Sequence, residues 1–96
     1  MSEAESELKL NLAWDLNKLL KHDYRQLYIR SGLEDLLEKA HAEHPGNEVA
    51  ELIFYIQKKN GKPGLEKFYD LLGKLEQKAS LDLIKESPAA ELFLSK

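Results

Sequence analysis

His41 and His44 stand three residues apart, a spacing that sets two imidazoles on one side of a helix and would suit a divalent metal. The pair lacks a third strong ligand nearby, and the chain has no cysteine to supply one. Histidines near a helix end are also favoured by the helix dipole, with no metal involved. His22 beside Asp23 suggests part of a Ser-His-Asp arrangement, yet no G-x-S-x-G elbow or comparable nucleophile context accompanies it. Glu34 and Asp35 are adjacent carboxylates, but neighbours on a helix point about 100° apart and do not converge on a substrate. Gly61-Lys62-Pro63-Gly64 lacks the G-x-x-x-x-G-K-[ST] spacing and preceding strand of a phosphate loop. The expectation is therefore no catalytic residue, no metal and no cofactor.

The charged residues carry more information because they are unevenly distributed. From 32 to 51 six acidic residues face one lysine, a net −5, with Glu34, Asp35 and Glu38 at the leading edge. From 52 to 68 four lysines oppose Glu66, a net +3 that includes Lys58, Lys59 and Lys62. Lys18, Lys21 and Arg25 add cations further upstream. Opposite patches of this kind set orientation and encounter rate between partners and weaken with salt. Glu34, Asp35 and Glu38 are the candidate acidic face; Lys18, Lys21, Arg25, Lys58, Lys59 and Lys62 are the candidate basic face. The same charges also suit solvated helix faces with i,i+4 pairs such as Asp35–Lys39. Trp14 falls with Leu10 and Lys18 opposite the leucine stripe of the first helix, where an exposed Trp and Leu would form a contact hot spot. Tryptophan is more often buried, and a bend in that helix would bury it.

The elements that hold these residues read as six helices. The first spans about 5–21, with Leu8, Leu12, Leu16, Leu19 and Leu20 as its apolar stripe. Asp23 and Gln26 read as a capping box for a short helix over 24–30, and Ser31 and Glu34 as a second box opening a helix to about His44. The inward face of this third helix is Leu33, Leu36, Leu37 and Ala40. Pro45-Gly46 closes it and Asn47 caps the fourth, where Val49, Leu52, Ile53 and Ile56 form a stripe flanked by Phe54 and Tyr55. That breadth of apolar surface places the fourth helix at the centre of the bundle. Gly61 and Pro63 separate it from a fifth helix striped by Leu65, Phe68, Tyr69, Leu72 and Leu75 and ending near Lys78. Ser80 caps a short sixth helix with Leu81 and Ile84 inward, and Ser87-Pro88 begins a last turn to Phe93.

Ninety-six residues, 43% hydrophobic and 32% charged, make one globular domain over 1–96 with few helix breakers. A net charge of −3 argues against nucleic acid as the main ligand. The acidic start MSEAESE lacks an apolar signal region, and no apolar run reaches the roughly 18 residues of a membrane span. The chain reads as cytoplasmic, with no membrane partner.

The passage ELIFYIQKKNGKPGLEKFYDLL, an apolar helix, basic residues, a glycine turn and a Phe/Leu helix, resembles helices 4 and 5 of caspase-recruitment domains (CARDs) of the death-fold superfamily. The tail KESPAAELF is similar to the end of CARDs from filament-nucleating scaffolds. Bacterial effector-associated domains, also death-like adaptors, resemble GNEVAELIFYIQKKNGKPGLEKF nearly as well. The 31–48 segment is shorter than the CARD helix 3 region, and no break shows in the first helix, which many CARDs kink. The resemblance implies an antiparallel six-helix Greek-key bundle and a homotypic adaptor of cell-death or innate-immune signalling. Its partner would be another death-fold domain, the same chain or a different one. Head-to-tail docking of the basic face on the acidic face would build a filament or a weak homo-oligomer. The alternative is a helical regulatory subunit that binds one unrelated protein through Leu10 and Trp14.

Overall fold

In a computed structural model, which describes residues 2–94, helical structure runs in four stretches. We label them α1 (residues 3–30), α2 (residues 34–43), α3 (Glu48–Lys74) and α4 (Lys78–Glu86); a single 3-10 turn follows at Ala90–Leu92. No strand occurs among the described residues. The all-helical class holds, but the count is four rather than six. The expected first and second helices are joined by the 3-10 turn Lys21–Asp23, where Leu20 (φ −105°, ψ 8°) and Asp23 (φ −107°, ψ 9°) bend the chain without ending it. The expected fourth and fifth helices are one stretch, kinked at Gly61.

The N-terminus of α1 forms two residues before the predicted start because Ser2 and Glu5 make a reciprocal capping box, each backbone N–H donating to the other's side chain at 3.1 Å. Leu8, Leu12, Leu16 and Leu20 are buried, as the spacing predicts, whereas Leu19 is 49% exposed. A π turn over Leu8–Leu12 explains the difference. Residues repeating every four positions drift about 40° per step on an α-helix, so Leu20 would sit about 120° from Leu8. One wider turn takes back about 100° of that drift, which turns Leu20 onto the core and Leu19 out of it. The first helix is thus not regular throughout, as its sequence suggested.

Neither capping box predicted downstream forms. Asp23 makes no cap bond and instead accepts a hydrogen bond from Gln77 Nε2 at 3.4 Å. Ser31 ends α1 rather than starting α2: Gly32 takes φ +74° and donates to the Ile29 carbonyl, and the Leu33 N–H donates to that of Tyr28. This is a Schellman closure, for which glycine is the favoured residue. α2 then begins as a 3-10 turn at Glu34 with no side-chain cap, and Leu37 is its buried residue, with Leu33, Leu36 and Ala40 packed beside it.

In α3, Val49, Leu52, Ile53 and Ile56 are buried and Phe54 and Tyr55 flank them half-buried. This helix touches α1, α2, α4 and the last turn, which makes it the centre of the bundle as its wide apolar stripe predicts. At Gly61 the backbone takes φ 62°, ψ −146°, a region open essentially to glycine alone and distinct from the left-handed closing turn expected there. Pro63 follows in the first turn of the second arm, where a missing N–H costs little. Leu65, Phe68 and Leu72 of that arm join the core. α3 stops at Lys74, not Lys78, through a second Schellman closure in which Glu76 holds the left-handed position at φ 58°. Ser80, predicted as a cap, is buried inside α4, whose N-cap is Gln77. Ile84 and Phe93 complete the core from the C-terminal side, and the radius of gyration is 12.1 Å. Among the described residues no helix is long and apolar enough to cross a membrane.

Candidate interaction surfaces

The buried polar groups gather where α1 and α2 meet the start of α3. Asn47 occupies the N-cap position of α3, but its side chain makes no cap bond. Asn17, buried on α1, does that work from across the core: Oδ1 accepts the Ala50 N–H at 3.0 Å, and Nδ2 donates to the Gly46 carbonyl at 2.8 Å. The Tyr28 hydroxyl donates to the Glu48 carbonyl at 2.7 Å. The Glu48 side chain, 4% exposed, accepts from His41 Nδ1 at 2.7 Å, and the Tyr24 hydroxyl lies 3.3 Å from the same nitrogen with its ring stacked on the imidazole. Burial pushes the Glu48 carboxyl up, but the His41 hydrogen bond and the Glu48 and Gly46 amides outweigh it and hold the group below the usual glutamate value. Burial also drives the Tyr28 phenol well above its usual value, with Glu51 and Glu48 adding to it. His44 Nε2 approaches Glu51 Oε1 at 3.6 Å. The two histidines therefore serve different carboxylates of α3. This hub orients helices, and sequence reasoning missed it because its partners lie up to 33 residues apart.

The charged candidates lie on the surface. Glu34, Asp35, Glu38, Lys18, Lys21, Lys58, Lys59 and Lys62 are all exposed, and none forms an ion pair with another described residue. The acidic three share the start of α2, but the cations are not gathered into one compact face. Asn17 meets Ala50, Trp14 meets Phe54 and Lys9 shares a groove with Lys58, so the first arms of α1 and α3 run antiparallel. Lys18 and Lys21 thus lie towards the start of α3, about 13 and 18 Å along the axis from Lys58 at 1.5 Å per residue. Arg25 stands apart from both, over the Tyr24 ring at 5.4 Å and in a shallow depression with Leu37, Glu38 and His41. The companion of Lys58 is Lys9, which the sequence did not single out.

Leu10 and Trp14 part company. Leu10 is 73% exposed, whereas Trp14 is half-buried, edge-on to Phe54 at 5.6 Å. Its indole N–H donates to the Lys9 carbonyl at 2.8 Å, inside the π turn, whose wider path tilts carbonyls away from the regular helical ladder. Beside Phe54 runs an open groove of about 490 Å³ whose other lining residues are Glu5, Lys9, Gln57 and Lys58. Of the two predicted hot-spot residues, Leu10 presents surface and Trp14 packs half-buried against Phe54. No protein-family model, no curated protein and no solved structure matches this chain.

Proposed function

We propose that the chain is a non-enzymatic homotypic interaction module, a death-fold adaptor of the CARD-like kind, acting in cell-death or innate-immune signalling. Its partner is another death-fold domain, the same chain or a different one. Contact runs head to tail, from the carboxylates Glu34, Asp35 and Glu38 at the start of α2 to the cations Lys58, Lys59 and Lys62 around the α3 kink, with Lys18 and Lys21 extending the basic side along α1. The observation that carries this reading is that all eight charges are exposed and unpaired within the described chain, and so remain available to a partner. Such a contact leaves an acidic and a basic surface open at its two ends, so it grows rather than closes.

The test is a charge-reversal pair followed by sedimentation velocity. Glu34→Lys/Asp35→Lys and Lys58→Glu/Lys59→Glu should each abolish growth, and their mixture should restore one pairwise contact without elongation. Growth of the unmodified chain should fall as salt rises from about 0.05 to 0.5 M, because the Debye length shortens. Assembly of both variants at the level of the unmodified chain would show that these residues are not the contact.

A further inference from the structure

We infer that His41 is a modification site, at which Nε2 accepts a phosphoryl group from a donor with an activated P–O or P–N bond, an acyl phosphate or another phosphoimidazole. The inference does not rest on the head-to-tail contact. Both polar contacts of the ring are made at Nδ1, to Glu48 Oε2 at 2.7 Å and to the Tyr24 hydroxyl at 3.3 Å. Despite its burial, the Glu48 carboxyl is held below the usual glutamate value by His41 and nearby amides, so it is ionised at neutral pH. The proton in the short contact therefore belongs to Nδ1. A neutral imidazole protonated there carries its lone pair on Nε2. The side chain is 56% exposed, which opens that lone pair to a donor, and the stacked Tyr24 ring holds the imidazole plane in place.

Glu48 does more than select the tautomer. Attack by Nε2 puts positive charge on the ring, and a carboxylate only 4% exposed meets that charge through the Nδ1 proton with little water between them. Neither of the other two histidines is built this way. His44 turns Nε2 itself toward Glu51 at 3.6 Å, and His22 is exposed and forms no ion pair with a described residue. The surroundings choose the electrophile. His41 shares its shallow depression with Arg25, Leu37 and Glu38. The Arg25 guanidinium suits phosphoryl oxygens, while Glu38 is the one charge in the depression that opposes them. An acyl group on so exposed an imidazole would be lost to water, whereas a phosphoryl group on Nε2 persists at neutral pH. In the step, the Nε2 lone pair forms the N–P bond. The bond from phosphorus to the donor breaks with its electrons going to the leaving group, and the Nδ1 proton stays facing Glu48.

The test treats the whole chain with potassium phosphoramidate, which transfers its phosphoryl group and leaves as ammonia, and follows the product by phosphorus NMR and peptide mapping. His41 should be phosphorylated on Nε2 about tenfold faster than His22 or His44. In the urea-unfolded chain all three should react at one rate, a comparison that needs no variant. Glu48→Gln should bring His41 down to the His22 rate with unchanged circular dichroism. Long-range proton–nitrogen spectra of the untreated chain should show the neutral His41 ring protonated at Nδ1. Equal rates in the folded chain, a phosphoryl group on Nδ1, an Nε2-protonated ring, or a Glu48→Gln chain that reacts as before would each overturn the inference. Turnover of p-nitrophenyl acetate at His41 without phosphorylation would also overturn it, and would make the imidazole an acyl-transfer base instead. Each of these outcomes leaves the head-to-tail reading standing.

Discussion

Asn17 shows how one side chain can serve the end of another helix. Its two hydrogen bonds satisfy the Ala50 amide and the Gly46 carbonyl, neither of which has a local partner of that kind. Asn17→Ala should cost about 2 kcal/mol in urea denaturation, since a buried donor and acceptor lose their partner together. Glu48 makes a pH-dependent contribution. Its folded value lies below the ordinary 4.5, so the stability it brings is full above about pH 4.5 and disappears as the pH falls through the lower folded value. In Glu48→Gln this part of the acid-side slope should vanish, while the slope at neutral pH stays as it was; an unaltered acid-side slope would contradict the account. At this scale the sequence was legible where residue type alone decides. The leucines at 8, 12, 16 and 20 and the apolar set on α3 are buried as read. Caps were not legible, because Ser, Asp and Asn bond to whichever amide the fold brings near, and here a distant Asn17 displaced the local Asn47.

Two of the backbone positions with positive φ, Gly61 at the α3 kink and Glu76 just past its end, have opposite consequences. Gly61 sits where only glycine is at ease, so Gly61→Ala should destabilise by about 1–3 kcal/mol, even though a new Cβ would meet nothing within 4 Å. Glu76 holds the closing position of α3 with a side chain that position disfavours, so Glu76→Gly should stabilise by roughly 0.5–1 kcal/mol after the added unfolded-state entropy is counted. Thermal melts of the two variants should move in opposite directions; movement in the same direction would refute the backbone argument. Element boundaries were the least legible part of the sequence for a related reason. Gly61-Lys62-Pro63 reads as a full stop, but the chain resumes helix within a residue, so a kink replaced a turn. Ser31 reads as an opening residue, but the Gly32 that follows it claimed the end of the preceding helix. The four-residue spacing of the leucines did hold the clue to the π turn, since a regular α-helix cannot keep such a row on one side.

On the scale of the whole molecule, the class and the central place of α3 were readable from composition and stripe width, because both depend on totals rather than on partners. The surface was readable in sign but not in layout. The acidic and basic blocks are real in the sequence, yet the antiparallel pairing of α1 with α3 spreads Lys18 and Lys58 along the body and brings Lys9 to Lys58 instead. Linear charge counts carry no information about which helices will be neighbours. The bond between residues 17 and 50 has one more effect. A helix capped by its own preceding residue can form before the rest of the chain arrives, whereas α3 must wait for α1 to close a loop of about thirty residues. That delay ties the fixing of its first turn to long-range closure, whose entropy must be met before the bond can form.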